Sequence, residues 1–433
     1  MTASKVGNVD RTTVHRWITI TAAFAAVLIS ALACAPGLLG MWVYDDQTMV
    51  GNPLYDDVSD ALNVFSYNSA DYIGRGKLDR NATTTYRPIT MLTLVGTHAL
   101  APKPWVHHIV GWILHLLVGG LLYLGLARRP WSWRIDPVAA WLAALFLFHP
   151  VCVESYVWIN GRSDLMAGLF LTLLVVMRPG RIPVSVLTTF SYLAIGFLGT
   201  AAKLPFALAA LCLWAGAWLR QEREGRNASQ LVLPVALSCG IALFVALRML
   251  YSPLADYVSA STGYGATSLW APAPKVAAGA AYALLSLGAD SMQSMAWNAI
   301  RPWTWGERSG VMVMLASAAG LFWRRDWGGL IYAGGALLTL APTLFVAQSI
   351  WFGFDRYLYM PLILLLVAAE PYVRELVLRL KSHGQFLKIA GAAILLVAVI
   401  DTHLASRAYA SHVAFLGAML SERPDDPTVR LYI

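Results

Sequence analysis

The 433-residue chain is 58% hydrophobic and only 13% charged, about half the charged share of a soluble protein. Its mean hydropathy is +0.58, which excludes a soluble globular domain and predicts an all-α polytopic membrane protein. The formal charge is +8, but the cations fall in short clusters between apolar runs, which excludes nucleic acid as a partner and makes the lipid bilayer the natural one.

Residues 17–43 are apolar and preceded by Lys5, Arg11 and Arg16. The run exceeds the roughly 7–15 apolar residues of a signal peptide, so an uncleaved anchor with a cytoplasmic N-terminus is expected. It ends in Met41-Trp42-Val43-Tyr44-Asp45-Asp46. Of two adjacent carboxylates one ionises less readily and can serve as a base near neutral pH; by spacing alone, a solvated cap on a membrane helix explains the pair equally well. Asp56-Asp57, deeper in the loop, reads as a solvated turn.

Residues 88–102 are too short to span and are expected along the membrane surface. Further apolar spans read at 106–127, 137–150, 164–177, 183–202, 204–219, 231–250, 310–323, 327–346, 358–373 and 386–404, giving about eleven transmembrane helices by the usual length of ~20 residues per crossing. The connections this places inside carry Arg128, Arg129 and Arg134; Arg178 and Arg181; Arg220, Arg223 and Arg226; Arg324 and Arg325; and Arg374, Arg379, Lys381 and Lys388, as the positive-inside rule requires. Residues 276–298 are expected as an outer-face interfacial or re-entrant helix, since counting them as a crossing would invert Arg374 to Lys388. Two large outer loops follow, 44–105 and 251–309, and residues 406–433 form a short outer-side helical tail.

The remaining ionisable residues cluster at the outer ends of spans: Arg87, His149, Glu154, Arg162, Asp164, Lys203, Asp355 and Arg356. Buried charges near a membrane are costly and are usually paired or functional. Cations converging with an acid pair suit a lipid-linked phosphate held beside a general base. His107, His108 and His115 are expected in interfacial packing, because His108 and His115 at i, i+7 are too far apart to share one metal ion and no carboxylate interleaves. Nor do the cysteines offer a metal site or a disulfide framework: Cys34, Cys212 and Cys239 lie in apolar runs and only Cys152 is near a polar loop. The 17 tryptophans and 18 tyrosines are mostly interface anchors. Of two sequons, Asn81 is outside and Asn227 inside. No repeat of 20–50 residues and no inverted symmetry is evident, which argues against a transporter or flippase of lipid-linked sugar; a non-catalytic membrane scaffold is the other rival.

The ordered series Tyr44-Asp45-Asp46 with Asn52-Pro53, Tyr86-Arg87-Pro88-Ile89-Thr90, His107-His108 to His115-Leu116-Leu117, His149-Pro150-Val151 with Glu154, Gly161-Arg162-Ser163-Asp164-Leu165 and Arg356-Tyr357-Leu358-Tyr359-Met360-Pro361 resembles the transmembrane and tetratricopeptide-repeat O-mannosyltransferases and their bacterial relatives, within the GT-C superfamily. The resemblance runs through nearly the whole chain. It implies a GT-C-type fold over residues 1–405 and an inverting glycosyltransferase that moves mannose or another hexose from a polyprenyl-phosphate carrier to a protein or glycan hydroxyl. By the same resemblance the site faces the periplasm or lumen, with a bacterial inner membrane favoured over the endoplasmic reticulum. Asp45 or Asp46 would be the catalytic base, and Arg87, Arg162, Lys203 and Arg356 would hold the donor phosphate. His149, Glu154 and Asp164 are further site candidates. No cofactor is firmly implied, although a divalent metal at the acid pair is compatible with the pattern. Two features depart from the family: Leu204-Pro205 follows Lys203 where an acidic residue is usual, and the chain stops where a repeat array would begin. Residues 406–433 would then be either a tail without an array or the start of a truncated repeat region.

Overall fold

The computed structural model describes residues 11–43, 46, 65, 86–129, 134–221, 228–251, 280, 284, 305–346 and 355–422. Asp45, Asp56, Asp57, the asparagines of both sequons (Asn81 and Asn227), the 276–298 segment apart from residues 280 and 284, and most of the two large loops expected outside lie outside these residues. The described chain is helical: α1 (Arg11–Leu38), α2 (Pro88–Leu100), α3 (Pro104–Leu126), α4 (Pro137–Leu147), α5 (Val153–Val157), α6 (Arg162–Val176), α7 (Val186–Ala202), α8 (Phe206–Arg220), α9 (Val232–Tyr251), α10 (Trp305–Trp323), α11 (Trp327–Val346), α12 (Tyr359–Arg379), α13 (Gly384–Ala408) and α14 (His412–Glu422).

The helix starts follow from local chemistry. Pro88, Pro104 and Pro137 open α2, α3 and α4, the position where a missing N–H costs nothing. Asp136 caps α4 by accepting from the Ala139 N–H at 3.2 Å, and Ser185 with Thr188 forms a capping box on α7. Each of the eleven expected spans coincides with a helix. By length and apolarity alone, five described helices qualify as membrane spans, or six if the bent pair Pro137–Leu147 and Pro150–Val157 counts as one. That pair differs from the straight span expected at 137–150: it bends by 56°, because Pro150 cannot donate to the helical ladder and disfavours helix at His149.

Packing is that of an integral membrane protein, with large apolar side chains such as Trp17, Phe24, Phe190 and Leu396 more than half exposed on the outside and small residues where helices touch. On the α7–α9 contact, a Cβ on Gly240 would lie 2.0 Å from the Leu193 carbonyl oxygen, so only glycine admits this approach. The histidines expected at the membrane interface are instead inside the bundle. His107, His108 and His115 are all buried, and His115 is bonded to the Tyr359 hydroxyl at 2.8 Å and the Leu147 carbonyl at 3.2 Å, stacked on Tyr156. The i, i+7 spacing of His108 and His115 marks a helix–helix seam, which interface statistics do not distinguish from a lipid-facing stripe.

The bundle has two polar ends. At one, Arg374 bonds Asp136 and the Leu126 carbonyl, Arg181 bonds the Leu124 and Ala127 carbonyls, Arg220 pairs with Asp326, and Arg324 pairs with Glu375. These are the connections expected to share the inner face. The other end, at the opposite termini of α3, α6, α8 and α12, carries the site candidates.

Candidate active site

The segment after α1 begins with a closed turn. The Asp46 N–H donates to the Val43 carbonyl at 3.0 Å, and its carboxylate Oδ2 accepts from the Val43 N–H at 3.2 Å, a local side-chain-to-backbone turn typical of aspartate. Asp46 is fully buried. One turn earlier, the Trp42 ring stands edge-on to His107 and His108, with centroids 5.4 and 6.4 Å apart. The acid turn is thus docked on the start of α3.

His107 leads to Arg162. The Arg162 guanidinium donates from Nη2 to the His107 carbonyl at 2.8 Å and from Nη1 to Thr97 Oγ1 at 3.3 Å. It is 2% exposed, and no carboxylate pairs with it among the described residues. Gly161 makes this placement possible: a Cβ there would sit 2.6 Å from the Ser155 carbonyl oxygen, so a larger residue would force α6 away from α5. A buried cation that meets only neutral acceptors is expensive to desolvate. An arriving anion would offset that cost.

Beside Arg162 runs a second set of contacts. Arg87 Nη1 donates to Ser163 Oγ at 3.3 Å, and Ser163 Oγ donates to Asp164 Oδ2 at 3.4 Å. Asp164 is ion-paired to Lys203. Lys203 Nζ lies 4.2 Å from the centre of the Tyr357 ring, which Arg356 approaches to 5.3 Å. Arg356 also covers Trp158 at 4.1 Å and pairs with Glu154 at 3.6 Å, while its N–H donates to Glu154 Oε2 at 3.3 Å. Arg87, Glu154, Asp164, Lys203 and Arg356 therefore form one connected layer. The acid missing after Lys203 in sequence is supplied across space by Asp164.

One candidate is not described and another stands apart. Asp45 is outside the described residues. His149 accepts from the Val151 N–H at 3.4 Å and, through Nε2, donates to the Leu284 carbonyl at 3.3 Å; it caps the Pro150 turn and touches none of the cations. Sequence reasoning missed Thr97, Trp158, Ser163 and Tyr357. Ser163 and Tyr357 lie inside the ordered motifs, and the aromatic residue directly after Arg356 is the available signal for Tyr357. Among the described residues no group of three or more His, Cys, Asp or Glu side chains converges as a metal site.

Comparison with known proteins finds curated relatives among the protein O-mannosyl-transferases. The human TMTC1 protein is 29% identical over 219 residues, covering 47% of this chain and 24% of the relative. The Caenorhabditis elegans F38B6.6 protein is 28% identical over 145 residues, covering 33% and 20%. Mouse TMTC4 is 29% identical over 160 residues, covering 34% and 21%. The similarity thus reaches a third to nearly half of this chain, less than the ordered motifs suggested, and the chain aligns with about a quarter or less of each relative's length. No family model and no solved structure matches the chain.

Proposed function

We propose that the chain is an inverting, polyprenyl-phosphate-sugar-dependent glycosyltransferase of the GT-C type. It transfers mannose or a similar hexose to a protein or glycan hydroxyl on the outer face of a membrane crossed by about eleven helices. The relatives' names support sugar transfer to protein. The observation that carries the reading is Arg162, a buried guanidinium without a carboxylate partner among the described residues, next to a layer that holds three further cations.

The reaction requires a base and a phosphate cradle. Asp46, or its neighbour Asp45, takes the proton of the acceptor hydroxyl as that oxygen attacks the anomeric carbon. The bond from the carbon to the phosphate oxygen breaks with both electrons passing to oxygen, and configuration inverts. The lipid phosphate leaves with one more negative charge than it carried in the donor. Arg162 and Arg87 meet that charge directly, and Lys203 and Arg356 meet it from positions fixed by Asp164 and Glu154. Preorganised donors of this kind favour the transition state because they need no reorientation as charge develops.

The test is transfer from synthetic polyprenyl-phosphate mannose to hydroxyl-bearing peptides and glycans by the purified full chain, with Asp45→Asn and Asp46→Asn alongside. Transfer that falls at least a hundredfold in one of the two variants supports the assignment. Undiminished transfer in both removes the base, and lipid movement across the bilayer without transfer favours a transporter.

A further inference from the structure

The end of the bundle away from the candidate site contains a cavity of about 650 Å³ between the ends of α6, α8, α11 and α12. Its wall is built by the sequence Arg178-Pro179-Gly180-Arg181. The Arg181 N–H donates to the Arg178 carbonyl at 3.2 Å, and Gly180 has φ of 83°. With proline before glycine, these features define a type II turn, whose third position needs the left-handed φ that glycine tolerates. Such a turn brings its first and last Cα atoms within about 7 Å, so Arg178 and Arg181 are presented together.

The charges around the cavity are unevenly committed. Asp326 is paired with Arg220, Glu375 with Arg324 and Arg379, and Asp136 and Glu370 with Arg374. Thus these four carboxylates at this end are all held by arginines other than Arg178 and Arg181. Arg181 donates to two backbone carbonyls at the end of α3 and makes no direct ion pair among the described residues, Glu370 acting on it only from a distance. Arg178 lines the cavity, and its side chain makes no hydrogen bond or ion pair among the described residues, with Glu370, itself bonded to Arg374, as the nearby carboxylate. Beside it, Trp323 is 89% exposed and Trp327 52% exposed, flanking the loop that supplies Arg324 and Asp326; exposed tryptophans of this kind sit at the level of lipid head groups.

We propose that this cavity binds the phosphate of an anionic membrane lipid, with Arg178 as the direct contact and Arg181 as the second cation. The site is distinct from the candidate active site: Arg162 and Arg178 lie at opposite ends of α6, about 24 Å apart by helical rise. The ligand chemistry is a phosphate ester, since planar guanidinium pairs match its oxygens, and the position between membrane helix ends selects a lipid as its source.

The experiment uses the full chain, purified and delipidated in neutral detergent, with phosphatidylglycerol, phosphatidylcholine or inorganic phosphate added. Binding is counted by native mass spectrometry and followed by the thermal midpoint. Wild type should bind phosphatidylglycerol roughly tenfold more tightly than phosphatidylcholine, whose choline cation cancels the phosphate charge and sets a like charge beside the arginines. Arg178→Gln should lose that preference while its midpoint without lipid stays unchanged, because the Arg178 side chain makes no internal hydrogen bond and the turn's backbone bond is kept; Arg178→Lys should retain part of it. Equal binding of the two lipids by wild type, or an undiminished preference in Arg178→Gln, would overturn the proposal. Inorganic phosphate that displaces phosphatidylglycerol and raises the midpoint equally would assign the cavity to a soluble anion instead.

Discussion

Lys203, at the end of α7, is ion-paired to Asp164 in the first turn of α6, and both are almost fully buried. This single contact ties the α7–α8 connection to the segment that presents Arg162. Removing one partner of a buried pair typically costs about 3–5 kcal/mol, because the other is left uncompensated. Asp164→Asn should therefore lower the thermal midpoint sharply, and Asp164→Asn combined with Lys203→Met should recover most of the loss without recovering transfer. A double-mutant cycle on midpoint and transfer rate checks both halves.

His115 joins three helical segments through Tyr359 and the Leu147 carbonyl. His115→Ala should destabilise the bundle by roughly 2–4 kcal/mol, from a cavity plus unsatisfied polar partners. Its effect on the donor Kd should be small, since His115 touches none of the site cations. Denaturation in mild detergent, with donor binding measured on the folded fraction, separates the two effects.

Acid should loosen the end that carries Arg220. Burial pushes the Asp326 carboxyl up, but bonds from Arg220, Tyr372 and the Gly329 N–H outweigh it and hold the group at about 2, below its ordinary 3.8. A depressed carboxyl contributes stability that is full above its unfolded value and is lost as pH falls toward the folded one. The midpoint should therefore drop between about pH 4 and pH 2. Asp136, also lowered by Arg374 despite burial, titrates on the same side, so Asp326→Asn should flatten only part of the slope in a pH series of melts.

The crossing of α13 has its own check. Reporters fused after Lys381 and after Ser406 should report opposite sides of the membrane. Both on one side would remove that crossing and with it the count of eleven.

The helices were legible because length and apolarity set them: each expected span has its helix, and the basic connections at Arg181, Arg220, Arg324 and Arg374 meet at one end. What hydropathy cannot encode is which helices touch. The pairing of Lys203 with Asp164, thirty-nine positions away, and the burial of His115 against Tyr359 arise from packing between segments. The bend at Pro150 was readable in principle, since proline disfavours helix just before it, but a hydropathy window averages across it. The order of spans anticipated that Arg162, Lys203 and Arg356 share one end, yet it did not reveal that two of them are paired with carboxylates and one is not.

That difference gives the most direct measurement of the central claim, which is that Arg162 holds a phosphate. Equilibrium binding of radiolabelled polyprenyl-phosphate mannose should be measured for the full chain, Asp46→Asn and Arg162→Met, with the thermal midpoint of each. The account predicts that Asp46→Asn binds donor within about threefold of wild type. Arg162→Met should lose at least tenfold in affinity, as for a lost charge-assisted contact, while the chain stays folded, its midpoint lowered only by the loss of the bonds to Thr97 and the His107 carbonyl. Unchanged donor binding in Arg162→Met, or collapse of its fold, would contradict the account and make Arg162 a structural residue.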